Sequence, residues 1–437
     1  MFIVGVSFLA LIVCWICTGL CYRRISARCC TRIVANEVIR VQGPRSAGCI
    51  NLTIVSVACN QDDVGYSDFG FFNDNKTITP TIDNLLANGI FLSDYYTFKI
   101  CSPSRAAMLT GRYPWGAGFY DMAQDDNHCT TNSTGLPELL KPLGYKTHAL
   151  GKWDVGFMKK ECSATYRGFD TFFGYYLACE ADYWYHASPG DPKPNCSQTG
   201  KGIGNNPTDL SNSSGAQIGP AANSLNGTYN TRLLAEEAAR LVRAHDPTTP
   251  MYMYLAFMAV HDGCAEPRGE FYSLGKQAPM ATVERYATTV LDTYKVAGAM
   301  YTEMDSGIQT VIDALKDNNM WENTVLIFVS DNGGPLDHCT NEPLRGGKHT
   351  FLEGGVRVMS FVSGPLVPPA RRGMRWSGMA ASADWYKTIT EVRVRAGTVE
   401  YNGELGSSVD CLAEHLSPHN TGHRWRICSA EHRLPPS

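Results

Sequence analysis

The stretch "TVLIFVSDNGG", Thr324–Gly334, is an apolar run of strand length that ends in an acidic loop. Its apolar residues are continuous rather than alternating, which is typical of a strand buried on both faces of a parallel sheet. Similar runs are "INLTIVSVA" from Ile50, "KTHAL" from Lys146, "MYMYLAFMAV" from Met251 and "VRVMSFVSG" from Val356. Helical patterns between them are "TPTIDNLLANG" from Thr79, "TGLPELLKPLG" from Thr134, "NTRLLAEEAARLVRAH" from Asn230 and "YKVAGAMYTEMDSGIQTVIDALKDN" from Tyr294. The sequence therefore predicts an α/β fold with a large, mostly parallel central sheet covered by helices on both faces.

The composition fits a large folded protein of the secretory pathway. The chain has 437 residues, 44% of them hydrophobic, which is enough for a large core. A net charge of −4 gives no basic field for nucleic acid. Sixteen cysteines are numerous for a reducing cytosol but too few for a disulfide scaffold. Sequons for N-glycosylation also favour the secretory pathway. They begin at Asn51, Asn75, Asn132, Asn195, Asn212 and Asn226.

The N-terminal residues 1–22 are expected to form a signal peptide or a membrane anchor. Phe2–Tyr22 is uncharged and has about the length that spans a bilayer. Arg23, Arg24 and Arg28 follow this run rather than precede it, which for an anchor favours a cytoplasmic C-terminal side and conflicts with downstream sequons. We favour a cleaved signal peptide, with a membrane anchor or a misassigned start as alternatives. Membrane contact is expected only if residues 2–22 remain as an anchor.

Two of the predicted strands end in acidic loops. "VSVAC" leads to Asp62 and Asp63, and "VLIFVS" leads to Asp331 and Asn332. If these strands are neighbours, the four side chains lie together beyond the carboxyl ends of the sheet, where α/β folds bind ligands. Four oxygen donors suit a hard cation such as Ca²⁺ or Mg²⁺. The alternative is that Asp and Asn serve here only as caps and turn residues.

The segment "CSPSRAAMLTGR", Cys101–Arg112, predicts a short helix. Ser102 is the expected N-cap, Pro103 fits the first helical position and Gly111 is the expected stop. Cys101 and Arg105 would then lie beside a helix N-terminus, where free backbone N–H groups favour an anion.

Together these motifs resemble the sulfatase family, in particular its arylsulfatase B-like group. The resemblance runs from about Asn51 to Lys387 and includes a C-x-P-S-R signature followed by L-T-G-R. The other matching motifs are "DDVG" at Asp62, "GYKTHALGKW" at Gly144, "RGFDTFFGY" at Arg167, "VH" at Val260, "SDNGG" at Ser330 and "PLRGGKHTFLEGGVR" at Pro343. The resemblance implies an alkaline-phosphatase-like sandwich over residues 45–395. Residues 396–437 would be a truncated remnant of the family's C-terminal antiparallel subdomain.

The resemblance also implies a catalytic chemistry. In such enzymes the signature cysteine, here Cys101, is oxidised to 3-oxoalanine (formylglycine) by the formylglycine-generating enzyme, and its hydrate attacks sulfur. One Ca²⁺ would be bound by Asp62, Asp63, Asp331, Asn332 and the modified Cys101. The resemblance implies that Arg105 holds the hydrate and that Lys152 and Lys348 bind the sulfate oxygens. It implies that His261 protonates the departing alcohol.

The chain departs from the family pattern at one site position. The family usually reads G-K-W-H, whereas this chain reads "GKWDVG" and places Asp154 where a histidine normally handles the proton of the hydrate. Cys129 and Cys162 match positions that pair in arylsulfatase B-like proteins, and Cys179 with Cys196 is a plausible second bridge.

The expected function is hydrolysis of sulfate esters of a carbohydrate or aryl alcohol by a lysosomal or extracellular sulfatase. The alternatives are a phosphate or phosphonate ester hydrolase of the same fold, and a catalytically silent protein that binds sulfated glycans. Aromatic residues at Tyr183, Trp184 and Tyr185 either stack on sugar rings or cover the core.

Overall fold

A ten-stranded sheet forms the centre of the part of the chain that the structure, a computed structural model, describes. The strands of the whole described chain are β1 (Thr53–Val57), β2 (Ile90–Leu92), β3 (Tyr95–Tyr96), β4 (Lys146–Lys152), β5 (Thr171–Tyr175), β6 (Leu210–Ser214), β7 (Gln217–Pro220), β8 (Met251–Ala256), β9 (Phe271–Ser273), β10 (Lys276–Ala278), β11 (Thr324–Val329), β12 (Ser360–Ser363), β13 (Met374–Trp376) and β14 (Ala380–Ala381). The described residues are 53–57, 63–74, 76–120, 129–157, 159–176, 183–184, 210–215, 217–220, 225, 227–262, 271–273, 276–286 and 292–394.

The strand order in the sheet is β13-β2-β12-β11-β1-β8-β4-β5-β6-β7. Its central part, β11-β1-β8-β4-β5, is parallel throughout. β12 is antiparallel to both of its neighbours, and β6 and β7 add an antiparallel pair at the other side. The predicted mostly parallel sheet is therefore confirmed, with antiparallel strands confined to the flanks. β9 with β10 and β3 with β14 form separate two-stranded sheets.

Helices cover both faces of this sheet, as the alternation of apolar runs and helical patterns predicted. The helices are α1 (Pro80–Ala87), α2 (Cys101–Thr110), α3 (Pro114–Ala117), α4 (Leu136–Leu140), α5 (Asn230–Ala244), α6 (Met280–Val283), α7 (Asp292–Asp317), α8 (Glu353–Val356) and α9 (Asp384–Val394). Single 3₁₀ turns span Thr130–Asn132, Lys141–Leu143, Lys160–Cys162, Trp321–Asn323 and Pro369–Arg371. The longest helix, α7, packs its buried stripe against α5, and Asp292 in its first turn and Lys316 in its last complement the helix dipole.

The core explains why the central strands are apolar on both faces. All six residues of β8 and all six of β11 are buried, because helices exclude water from each side of the sheet. Each large apolar side chain buried in this way contributes about 1.5–3 kcal/mol relative to exposure. The arrangement fixes the positions of the strand ends, which carry the candidate site.

Three local predictions need correction. The strand expected from Val356 begins only at Ser360, because Glu353–Val356 forms the short helix α8. The composition of residues 187–226, rich in Gly, Pro, Ser and Asn, predicts a long surface excursion, whereas Leu210–Ser214 and Gln217–Pro220 form β6 and β7 at the edge of the sheet. The helix expected from Thr134 ends at Leu140, where a 3₁₀ turn follows.

A disulfide joins Cys129 to Cys162, with their Cα atoms 5.4 Å apart, which confirms the first predicted bridge. It ties together two 3₁₀ turns that are distant in sequence. The second expected pair, Cys179 with Cys196, lies outside the described residues, as do residues 1–22 and 396–437. Within the described ranges no helix is both long enough and apolar enough to cross a membrane.

Candidate active site

The candidate site lies where four parallel strands end at the same edge of the sheet. β1 pairs with β11 in the register Thr53 to Thr324, and it pairs with β8 on its other side. β4 follows β8. Chain segments leaving these ends carry the predicted site residues, namely Asp63 after β1, Asp331 and Asn332 after β11, His261 after β8, and Lys152 and Asp154 at and after the end of β4. The predicted adjacency of the two acidic loops is confirmed.

We call Asp63, Asp331 and Asn332 the acidic edge. All three side chains are buried. The amide Nδ2 of Asn332 donates to Asp63 Oδ1 at 2.9 Å, so that its carbonyl oxygen Oδ1 points elsewhere. No donor among the described residues reaches this buried oxygen. The fourth expected oxygen ligand, Asp62, lies outside the described residues.

Lys348 supplies the positive charge closest to the acidic edge. Its Nζ atom lies 2.5 Å from Asp63 Oδ1, and both side chains are buried. Burial alone would raise the pKa of Asp63, but the charge of Lys348, assisted by His261, holds that pKa well below its usual value. Asp63 is therefore ionised at neutral and mildly acidic pH.

The backbone around Lys348 is held against the acidic edge by glycine contacts. The amide of Gly333 donates to the carbonyl of Gly355 at 3.0 Å, and the amide of Lys348 donates to the carbonyl of Gly334 at 3.3 Å. A Cβ atom on Gly333 would lie 1.7 Å from the carbonyl oxygen of Gly354, so only glycine fits this close approach. The backbones of the "DNGG" and "EGGVR" motifs therefore pack directly against each other.

Arg105 joins the acidic edge to the end of β4. Its Nε and Nη2 atoms both donate to Asp331 Oδ2, at 3.1 and 2.9 Å, and its Nη1 donates to the backbone carbonyl of Lys152 at 3.0 Å. The guanidinium is fully buried, so this charge-assisted fork fixes α2 against two strand ends.

The start of α2 differs from the prediction. The helix begins at Cys101, and Ile100 rather than Ser102 is its N-cap. Ser102 lies inside the first turn, where its Oγ donates to Asp154 Oδ1 at 2.8 Å. A tertiary partner thus replaces the local cap. Gly111 ends the helix in the left-handed conformation with φ of 66°, as predicted.

Lys152 and Asp154 form what we call the β4 end. Both are buried, and Lys152 Nζ lies 3.8 Å from Asp154 Oδ2. Arg105 Nε lies 4.0 Å from the same oxygen. Asp154 has φ of 54°, a left-handed conformation that Asp tolerates better than most residues.

His261 faces the acidic edge from the end of β8. Its Nε2 atom lies 4.0 Å from Asp63 Oδ2, and its Nδ1 bonds the backbone carbonyl of Asp262 at 2.9 Å. The loop that carries it is held by Tyr183, whose hydroxyl donates to the carbonyl oxygens of Met258 and His261 at 2.8 and 2.9 Å. Tyr183 is fully buried, which confirms the core interpretation for this residue.

A buried lysine that the sequence analysis missed holds the same loop. Lys276 Nζ donates to the backbone carbonyl of Val260 and forms an ion pair with Asp262 Oδ1 at 2.7 Å. No local pattern identifies Lys276, because it lies in the short strand β10, outside every motif.

The donor set suits a hard cation. In the part of the chain that the structure describes, no three His, Cys, Asp or Glu side chains form a metal-ligand cluster, so a site here depends on Asn332 and on Asp62. The acidic edge offers only oxygen atoms, and the buried Oδ1 of Asn332 is an acceptor with its hydrogen-bonding capacity unused. Oxygen donors of this kind fit Ca²⁺ rather than a thiolate- or imidazole-seeking metal.

Comparisons with known proteins agree with this architecture. A family model described as Sulfatase matches residues 60–392. Arylsulfatase J of Mus musculus is 34% identical over 332 residues, covering 75% of this chain and 50% of the relative. N-acetylgalactosamine-6-sulfatase of Homo sapiens is 28% identical, over 68% of this chain and 54% of the relative. The crystal structure of Ps i-CgsB in complex with k-i-k-neocarrahexaose is 29% identical, with a TM-score of 0.65 over 80% of this chain and 73% of that one.

The central sheet and its strand-end site define an alkaline-phosphatase-like α/β protein. The chain belongs to the sulfatase family. It spans about half the length of the curated relatives that it matches.

Proposed function

We propose that the chain hydrolyses sulfate esters of a carbohydrate or an aryl alcohol. The observation that carries the proposal is the position of Arg105, which binds the acidic edge and the β4 end at once while Cys101 begins the same helix. This geometry brings the signature helix to the groups that an anionic ester needs, as electrostatic stabilisation requires. The relatives named above, two of them sulfatases by name, support this reaction class.

Asp62, Asp63, Asp331 and Asn332 would bind one Ca²⁺, together with the side chain of residue 101 after its conversion to 3-oxoalanine. When bound, these groups would supply a nucleophilic hydroxyl and positive charge to polarise a sulfate oxygen. The formylglycine-generating enzyme would be the maturation partner. The unused acceptor on Asn332 and the oxygen-only donor set support calcium.

Lys152 and Lys348 would bind the sulfate oxygens of the substrate. Both ammonium groups are buried beside carboxylates, Lys152 near Asp154 and Lys348 on Asp63. Because those carboxylates already orient the two lysines, little side-chain entropy remains to be lost on binding. Arg105 would hold the hydroxyl-bearing side chain of residue 101.

His261 would protonate the departing alcohol from Nε2. The Nδ1 atom faces the backbone carbonyl of Asp262, and a carbonyl only accepts, so Nδ1 carries a hydrogen. Nε2 is therefore the atom that exchanges a proton with the substrate. Asp154 would take the proton from the hydroxyl at residue 101, in the place of the family's usual histidine.

The proposal is tested by mass spectrometry of the Cys101 peptide together with kcat/KM on matched aryl sulfate and aryl phosphate esters. Protein made with an active formylglycine-generating enzyme is expected to carry 3-oxoalanine and to prefer the sulfate. A preference for the phosphate would instead identify a phosphate or phosphonate ester hydrolase.

The substitution at Asp154 motivates a second candidate, a silent protein that binds sulfated glycans. An unmodified thiol at Cys101, with binding of sulfated oligosaccharide but no turnover, would establish that candidate. We further propose a secretory location, lysosomal or extracellular, because the Cys129–Cys162 disulfide is of the kind that persists in oxidising compartments.

A further inference from the structure

The two oxygens of Asp154 have different surroundings. Oδ1 accepts the hydroxyl hydrogen of Ser102 at 2.8 Å. Oδ2 lies 3.8 Å from Lys152 Nζ and 4.0 Å from Arg105 Nε, and no donor among the described residues makes a hydrogen bond to it. Asp154 and Ser102 are both almost completely buried, so bulk water does not remove the difference in hydrogen bonding between the two carboxylate oxygens.

This asymmetry gives the Ser102 hydroxyl a specific effect. A carboxylate can rotate about χ2, and in a buried site its orientation follows the donors that hold it. Ser102 holds Oδ1, and therefore leaves Oδ2 as the oxygen that faces the two cations and remains open. Aspartate is shorter than histidine, so a substitute at this position depends more on such a fixed orientation.

We infer that Ser102 is a positioning residue, which orients Asp154 so that Oδ2 is the atom that accepts a proton from the hydroxyl at residue 101. This inference rests on the proposed function. The Ser102 hydroxyl stays protonated throughout and is hydrogen-bonded to Oδ1. Oδ2 receives the proton that is released when the O–H bond at residue 101 breaks.

The position of Ser102 in the signature makes the inference testable. In C-x-P-S-R, Ser102 is the variable residue, so its replacement leaves the sequence read by the modifying enzyme unchanged. Ser102→Ala removes the hydroxyl, and Ser102→Thr retains it. Thr110→Val is the matched control, because it also removes a buried hydroxyl from α2, which among the described residues bonds only nearby backbone, donating to the carbonyl of Ala106 and accepting from the amide of Arg112.

Ser102→Ala is expected to lower kcat by about 10-fold to 100-fold, the factor for losing one hydrogen bond to a charged group, with KM changed less than about twofold. The Ki of inorganic sulfate should stay the same, since Lys152 and Lys348 remain in place. Ser102→Thr should restore at least half of kcat, and Thr110→Val should match the wild type. Mass spectrometry should find the same degree of conversion at Cys101 in every variant.

A double-mutant cycle and a structure separate positioning from a merely structural role. On the Asp154→Asn background, Ser102→Ala should change kcat by less than about twofold, because the group it orients is gone. A crystal structure of Ser102→Ala should show the Asp154 carboxylate rotated. An unrotated carboxylate, or an undiminished effect on the Asp154→Asn background, overturns the inference. If the wild type itself carries 3-oxoalanine yet cleaves no sulfate ester, the proposed function fails, and the crystal structure still tests the orientation of Asp154.

Discussion

The acidic edge and the β4 end lie at neighbouring strand ends, yet their carboxylates differ in how closely cations contact them. Asp63 and Asp331 are each bound directly by a cation, through Lys348 at 2.5 Å and Arg105 at 2.9 Å. Asp154 has its cations 3.8 and 4.0 Å away, and among the described residues a serine hydroxyl is the one group that holds its other oxygen. The first arrangement is suited to holding charge in place, and the second leaves an oxygen able to react. We therefore expect changes at the acidic edge to affect stability and metal binding, and changes at the β4 end to affect turnover.

The largest effect is expected at Cys101, which begins the helix whose Arg105 contacts both regions. Cys101→Ala should abolish turnover of an aryl sulfate while leaving the melting temperature close to that of the wild type, because only one sulfur atom is removed. Cys101→Ser should undergo at most one sulfate transfer, because a serine has a single hydroxyl and cannot expel sulfate by forming an aldehyde. Intact-mass measurement should then show a sulfated protein. Repeated turnover by the serine variant would contradict the mechanism.

At the acidic edge, Asp331→Ala should reduce both stability and bound calcium. The substitution leaves the fully buried guanidinium of Arg105 without its carboxylate, and breaking a buried pair in this way costs about 3–5 kcal/mol. Urea unfolding gives the change in the free energy of unfolding, and elemental analysis gives the metal content.

The matched control is Asp313→Ala, since the contacts of Asp313 are exposed ones, an ion pair with Lys316 at 3.9 Å and a hydrogen bond accepted from Gln309 Nε2 at 2.7 Å. Its free energy of unfolding should change by less than about 1 kcal/mol. Stoichiometric zinc without calcium in the wild-type protein, or equal stability of the two variants, would remove the distinction drawn for the acidic edge.

At the β4 end, Asp154→Asn should affect turnover more than stability. Asn keeps the shape and tolerates the left-handed backbone, and the two cations lie 3.8 and 4.0 Å from the carboxylate rather than in direct contact, so the free energy of unfolding should change less than in Asp331→Ala. Loss of the proton acceptor should lower the steady-state rate by about 10²-fold or more, with an initial burst followed by a stall. Normal turnover by Asp154→Asn, with no gain in Asp154→His, would show that Asp154 only organises the lysines.

The two regions also differ in how well the sequence predicts them. The acidic edge follows from strand adjacency, because continuous apolar runs predict parallel strands and parallel strands end at one edge. Lys348 and His261 have no local signal and were found only through family motifs. Ser102 was predicted as a cap by the rules for helix starts, whereas its partner Asp154 lies 52 residues away in sequence. Lys276 and the role of the Tyr183 hydroxyl escaped prediction for the same reason, since tertiary contacts determine both.

The smallest expected effect is a loss of stability at acidic pH, and it distinguishes strand β4 from the acidic edge. His148, in the middle of β4, has its pKa lowered to about 4 because burial penalises the charged ring, although nearby Asp170 opposes this. Since the unfolded chain binds a proton near pH 6.5 and the folded chain does not, stability is complete above pH 6.5 and falls toward pH 4. The loss is about 3 kcal/mol. Asp63 does not contribute over this range, because its pKa is held well below 3.8 and its stabilisation is lost only as pH falls further.

This acid sensitivity can be measured by urea unfolding between pH 7 and pH 4. His148→Asn is the informative variant, because an amide can occupy the position of Nδ1, which bonds Thr171 Oγ1 at 2.8 Å, without titrating. Its free energy of unfolding should fall less steeply with decreasing pH than that of the wild type. Parallel curves would mean that the acid sensitivity arises elsewhere and that β4 is no more sensitive to protons than the acidic edge.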